Sequence, residues 1–363
     1  MDVSNKFLIV GCIVLVTLIL IYFIVVALLY WRQNPTISVQ DAVFNDLNEI
    51  LISSTVTDTY IGTRGDMGNQ MFQLACIIAA AERSKAQVVL PTRIAMLPII
   101  DLFDLTHLEW KDVNPDAIFY EYDNYENIII PNDGRVYNIN GYRQAYRYFE
   151  DYAQEIRALF TPKPNILNAV RAVVPNEQNY IAVHIRRGDY VKLIHKVPIL
   201  REFRQCQLEY YKEGIRKLRE NYPECPLLVC TDSPQWVIPL LAELDSKAIL
   251  APVIKDISPK FSDFCVLYLA KCGVVMSNSS YSWWASYLNP GRSIICPSPW
   301  WDNNGFIGKG VGLDGPYLHY QDWWLLDADT GQLVREPHST TGERPDRNKE
   351  TLNLYRLVRG TLL

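Results

Sequence analysis

Two arginines stand side by side in the run His184-Ile185-Arg186-Arg187-Gly188-Asp189. A guanidinium stays charged at any physiological pH, and its planar fork matches the oxygens of a phosphate. Such a pair beside a glycine suits an anion with several oxygens, and fixed cations there stabilise a leaving group that gathers negative charge. Asp189 either holds an arginine in place or acts as a base, and His184 is a second candidate base. A structural Arg–Asp salt bridge on a loop would account for the same residues.

A second cluster, Ser277-Asn278-Ser279-Ser280-Tyr281-Ser282, precedes the helix-like segment Trp283–Leu288. Hydroxyls and the backbone N–H groups of a helix N-terminus favour phosphate. Simple N-capping is the plainer account, but one serine or asparagine suffices for that. Asn278-Ser279-Ser280 is also a glycosylation sequon, expected to stay unused because the loop should line a cleft. Thr231-Asp232-Ser233 and Pro297-Ser298-Pro299-Trp300-Trp301 form two further clusters. Nearer the N-terminus, Gly65 and Gly68 of Gly65-Asp66-Met67-Gly68-Asn69 could let the backbone turn tightly toward a ligand. No G-x-x-x-x-G-K-[ST] loop occurs, and no histidine pair has zinc spacing. Asp327-Ala328-Asp329 reads as a turn rather than a metal site.

These clusters share a position: four of them follow short apolar runs. The runs are 180–185, 226–230, 273–276 and 293–296, with similar runs at Gln87–Leu90 and Ala248–Val253. Continuous apolar runs of this length suit strands buried on both faces, as in parallel sheets. Amphipathic segments lie between them, with apolar residues at three- and four-residue steps in Gly68–Lys85 and Glu202–Glu220. Alternation of this kind predicts α/β architecture, in two doubly wound domains facing each other across a cleft. Ligands in such sheets bind at the carboxyl ends of the strands, where the clusters fall.

In order and in residues, these motifs resemble the α1,2-fucosyltransferase family. Gly65–Gln73 is similar to that family's G-G-L-G-N-Q-M-F-Q, and His184, Arg186, Arg187 and Asp189 match its H-x-R-R-x-D. Thr231–Trp236 looks like S-D-D-P-x-W, Asn278–Trp284 like N-S-S-F-S-W-W, and Pro297–Trp301 like P-S-P-W-F. Gly141-Tyr142 and Tyr148-Phe149 resemble a further G-Y-F-Q and Y-F segment. The resemblance spans about residues 60–302 and implies a GT-B-like pair of Rossmann-type domains. It also implies GDP-fucose as donor, a galactose-containing glycan as acceptor, an α1,2 linkage made with inversion, and no metal. By residue, it puts Arg186 and Arg187 on the diphosphate, and Asn278, Ser279, Ser280 and Ser282 near phosphate or fucose. Asp232 is expected near the guanosine, with Gly65, Gly68 and Asn69 approaching the donor from the first domain. Asp66 stands where the family usually has a second glycine, and a carboxylate there repels a diphosphate unless it points away. A relative that binds GDP-sugar or glycan without efficient transfer, and a fucosyltransferase of another linkage, are the alternatives.

The 363-residue chain carries a net charge of −5, so nothing points to nucleic acid, and its 9 Trp, 22 Tyr and 12 Phe argue against extended disorder. An uncharged apolar run at 7–31 is long enough to span a bilayer, which takes about 20 residues. A cleaved signal peptide would have a shorter core and small residues after it. The expected order is a cytoplasmic tail (1–6), a transmembrane signal-anchor (7–31) and a stem (32–57). An N-terminal α/β domain on the acceptor side (58–175), a C-terminal α/β domain binding GDP-fucose (176–333) and a polar tail (334–363) complete it. With the resemblance, this implies a single-pass type II protein of the Golgi membrane with its body in the lumen. Of the eight cysteines none forms a C-x-x-C pair, and one or two disulfides are compatible with an oxidising lumen, their pairing left open.

Overall fold

The computed structural model describes residues 21–26, 53–63, 65–119, 127–193, 205–301 and 318–337. Two sheets organise the chain. In the first, β1 (Thr55–Thr57), β2 (Gln87–Leu90), β3 (Glu109–Trp110), β4 (Ala117–Phe119) and β5 (Val136–Ile139) run parallel in the order β3-β2-β1-β5-β4. The second holds β6 (Ile181–Ile185), β7 (Leu227–Thr231), β8 (Ala248–Leu250), β9 (Gly273–Val275), β10 (Ile294–Ser298), β11 (Trp324–Asp327) and β12 (Leu333–Arg335). Its order is β12-β11-β10-β9-β6-β7-β8, parallel except for β12, which pairs antiparallel with β11. The expected pair of α/β domains is therefore present, and the four motif-bearing runs are the adjacent strands β10, β9, β6 and β7.

Both faces of the second sheet are covered, which explains why its strands read as unbroken apolar runs. Ile181, Val183 and Ile185 of β6 pack with Tyr211, Ile215 and Leu218 of helix α5 (Leu208–Arg219). Tyr180 and Ala182 face the other way, into the core that holds α6 (Pro259–Leu269) and α7 (Ser280–Tyr287). That second core does not stop at the domain boundary. It continues through α1 (Met67–Ser84), α2 (Ala153–Leu159) and α3 (Pro164–Arg171) into the first sheet. Phe72 of α1 sits 4.6 Å from Trp283 and 4.9 Å from Trp284 of α7, between ring centroids, and Phe149 stacks on Trp284 at 5.3 Å. The domains thus face each other across a crevice on one side only; behind it they are fused.

Two boundaries differ from the sequence reading. The stretch expected to be the end of a stem contains β1, the central strand of the first sheet; three residues, two of them threonine, are too few to show a period. The expected polar tail begins inside β12. The amphipathic segment 202–220 is helical from Leu208, and the serine cluster enters its helix at Ser280 rather than Trp283. Of the apolar run 7–31, residues 21–26 are described and are helical; the rest lies outside the described residues. Among the described residues, no helix is long and apolar enough to cross a membrane.

Candidate active site

In the second sheet the chain runs on from β6 to β7 and from its neighbour β9 to β10, in opposite directions; in the first, β1 leads on to β2 and β5 lies on its other side. The carboxyl ends of two such neighbours open a crevice, the usual ligand position in this architecture. The segments 186–189 after β6 and 277–279 after β9 flank one crevice; the segments after β1 and β5 flank the other. Helices α1 and α7 leave these crevices with their N-termini in contact. A Cβ on Gly68 would lie 2.6 Å from the Ser280 carbonyl carbon and 2.7 Å from the Tyr281 nitrogen, so only glycine fits there. Gly68 thus sets the seam between the domains instead of approaching a ligand.

Arg186 projects at the β6–β9 crevice, half-buried, with Nη1 2.7 Å from Asp232 Oδ2. The other oxygen of Asp232 accepts the N–H groups of Arg187 (2.9 Å) and Gly188 (3.0 Å). Burial opposes the charge on Asp232, but those two N–H groups and the Arg186 guanidinium hold its carboxyl below the usual range. Asp232 thus fixes the arginine loop. Arg187 parts from its neighbour: its guanidinium lies 3.9 Å from the ring centre of Trp236, a cation–π stack. Of the pair expected on a diphosphate, Arg186 is the one placed for it.

The serine cluster also divides. Ser277 Oγ lies 2.8 Å from His184 Nδ1, and Ser282 Oγ donates to the carbonyls of Ser277 and Ser279. Asn278 is buried and donates to the Trp300 carbonyl. Ser279 is the N-cap of α7, yet its hydroxyl caps no N–H, so the account by simple capping is not met. The first-turn N–H groups of Ser280, Tyr281 and Ser282 have no partner within the helix by its geometry, and they lie at the seam where Gly68 of α1 abuts Ser280 and Tyr281. Ser280 is the half-buried member of the cluster, at the seam with Gly68.

His184 is almost fully buried beside Tyr281, ring centroids 5.2 Å apart. Burial first, then the charge of Arg186, pushes its pKa down to about 3, against a smaller opposing effect of Asp232. With its conjugate acid so strongly disfavoured and Nδ1 held by Ser277, this buried imidazole is a weak proton acceptor, which counts against the expectation that His184 is the base. Asp189 lies in α4 (Gly188–Leu193), its side chain outside the described residues.

At the β1–β5 crevice the chemistry is neutral. Gly65 has φ +66°, and the Asn69 side chain fills the space a Cβ would need. Asn69 Oδ1 accepts a short hydrogen bond from Gln144 Nε2, and Gln73 Nε2 donates to the Gly141 carbonyl at 3.3 Å. Asn69 thus ties α1 to the loop after β5. Tyr60 and Tyr142 are exposed at this end.

Asp66, marked out by the sequence, and two residues without a sequence signal, Lys260 and Asp263, complete the picture. Asp66 caps α1, accepting the Met67 N–H at 2.8 Å, and both its oxygens meet Lys260 Nζ of the other domain, at 2.9 and 2.7 Å. Burial opposes its charge, but the bond from Lys260, the Met67 amide and the charges of Lys260 and Arg186 together lower its pKa. Asp263, one turn beyond Lys260, has no hydrogen-bond or ion-pair partner for its carboxylate among the described residues, and burial pushes its pKa up to about 7. Lys260 and Asp263 sit in an ordinary amphipathic helix opened by Pro259, so nothing in their spacing sets them apart.

The family model for Glycosyl transferase family 11 matches residues 51–311. An α-1,2-colitosyltransferase of Escherichia coli is 32% identical over 165 residues, covering 45% of this chain and 55% of that protein. The O-antigen biosynthesis glycosyltransferase WbnK of Escherichia coli is 25% identical, covering 53% and 64%. The chain therefore spans less than two thirds of these two relatives. Galactoside α-(1,2)-fucosyltransferase 2 of Sus scrofa is 22% identical over 292 residues, covering 76% of this chain and 82% of its own. Among solved structures, NodZ α-1,6-fucosyltransferase soaked with GDP-fucose matches at 16% identity with a TM-score of 0.44, covering 66% of this chain and 93% of that one.

Proposed function

We propose that this chain, which belongs to glycosyl transferase family 11, transfers L-fucose from GDP-fucose to the 2-hydroxyl of a galactose on a glycan. The observation that carries the reading is the loop after β6, where Asp232 fixes Arg186 at the carboxyl end of the strand, while α7 begins after the neighbouring strand β9. A diphosphate supplies the anion such a site suits. In an inverting displacement the acceptor oxygen attacks the anomeric carbon while its bond to the β-phosphate oxygen breaks. The electron pair leaves with GDP, where Arg186 and the α7 amides meet the growing charge. The hydroxyl proton passes to a base, for which Asp189 is the candidate, since burial makes His184 a weak proton acceptor. The names of the Escherichia coli colitosyltransferase and the Sus scrofa fucosyltransferase support the α1,2 linkage, and the latter supports galactose as acceptor.

The proposal extends to a type II protein of the Golgi membrane, anchored through 7–31 with its body in the lumen. A disulfide between Cys225 and Cys272 fits an oxidising compartment. The test is transfer by the full-length chain from GDP-fucose to a panel of β-galactose-terminated glycans, with the linkage read by mass spectrometry. Fucose on the galactose 2-hydroxyl is the expected product. Fucose on another hydroxyl would overturn the linkage, and GDP binding without transfer to any acceptor would favour the non-transferring relative.

A further inference from the structure

Asp66 brings a negative charge to the place least suited to one. It caps α1 where the N-termini of α1 and α7 abut, within electrostatic reach of Arg186. An anion drawn to Arg186 would meet this carboxylate. Lys260 answers it from the opposite domain with a hydrogen bond to each oxygen, 2.9 and 2.7 Å. The pair is exposed, with side-chain exposures of 36% for Lys260 and 66% for Asp66, so its contribution to stability is small. Its place is better explained by the crevice. The main chain of Lys260 is also fixed there, its carbonyl accepting Tyr281 Oη at 2.5 Å, and Tyr281 lies against His184. The ammonium is thus set by the same groups that shape the anion site.

We infer that Lys260 is a positioning residue for the donor: by pairing with Asp66 across the seam it cancels a charge that would otherwise repel the diphosphate from Arg186. This inference rests on the reading of the crevice as a GDP-sugar site. Removing the lysine then harms GDP binding through Asp66 alone, so removing both partners restores it.

The experiment is calorimetric titration of GDP into the full-length chain in detergent, for the parent and for Lys260→Met, Lys260→Arg, Asp66→Asn and the double variant Asp66→Asn/Lys260→Met. Lys260→Met should weaken GDP binding about tenfold, because a bare carboxylate then faces the diphosphate. Lys260→Arg and the double variant should return within about threefold of the parent, and thermal unfolding of all four should stay within about 2 °C of it, as for an exposed pair. A double variant as weak as Lys260→Met would overturn the inference, showing that the lysine grips the diphosphate itself. Unchanged binding by Lys260→Met, or a large fall in its unfolding temperature, would overturn it as well. A parent chain that binds no GDP would instead remove the donor reading beneath it.

Discussion

The two crevices are built alike and chemically opposed. Each lies at the carboxyl ends of two adjacent parallel strands, and each sends a helix away from it, α1 from one and α7 from the other. The β6–β9 side carries a guanidinium with its carboxylate anchor and the start of a helix. The β1–β5 crevice is lined by Asn69, Gln144, the Gly141 carbonyl and exposed tyrosines. One side suits a charged donor, and the other suits the neutral hydroxyls of a sugar. The motif residues do not sort by crevice, however. Phe72, Gly68, Trp283 and Trp284 belong to the most conspicuous motifs and serve the seam between the domains.

Substitutions at the seam and at each crevice should therefore fail differently. Trp284→Ala should cost about 3–5 kcal/mol of stability, since the ring is fully buried among Phe72, Phe149 and Phe160; denaturant titration measures it, and a loss below about 1 kcal/mol would mean the seam is not a shared core. Arg186→Ala should lower kcat/KM for GDP-fucose by about 100- to 1,000-fold with little change in unfolding temperature. Arg187→Ala should cut kcat/KM by less than about tenfold, with a stability loss of about 1 kcal/mol from the Trp236 stack. Equal effects of the two arginine changes on turnover would erase the distinction drawn between them. Asn69→Ala should raise KM for the acceptor more than KM for GDP-fucose, and the reverse pattern would move Asn69 to the donor side.

A pH dependence is expected as well. Asp263 holds its proton up to about pH 7 in the folded chain, whereas the unfolded group loses it near its ordinary value of 3.8. Between those values the folded state binds more protons, so this group's contribution to stability falls as pH rises and is flat above about 7. The unfolding temperature of Asp263→Asn relative to the parent should accordingly climb from pH 5 to pH 8. A constant difference would show that the carboxyl is not desolvated.

Much of the donor side was legible because its signals are local. Strands β6, β7, β9 and β10 are unbroken apolar runs, and their polar ends follow directly in sequence. The first sheet was harder to read: β1 is Thr-Val-Thr, and β5 buries Asn138 among apolar neighbours, so neither shows the expected pattern. Roles inside the motifs were less legible than the motifs themselves. Arg186 and Arg187 are identical in type and adjacent, and only the partners Asp232 and Trp236, some 45 and 49 residues away, separate them. The Asp66–Lys260 pair joins residues 194 apart and leaves no trace in spacing.

The aromatic seam also bears on how this chain can be rebuilt. Phe72 and Phe149 on one side complete Trp283 and Trp284 on the other, so a fragment ending between the sheets would carry half of an oily joint exposed to water. The halves are not interchangeable cassettes: an acceptor half grafted from a relative must bring an α1 whose rings mesh with this α7, whatever sugar its crevice accepts.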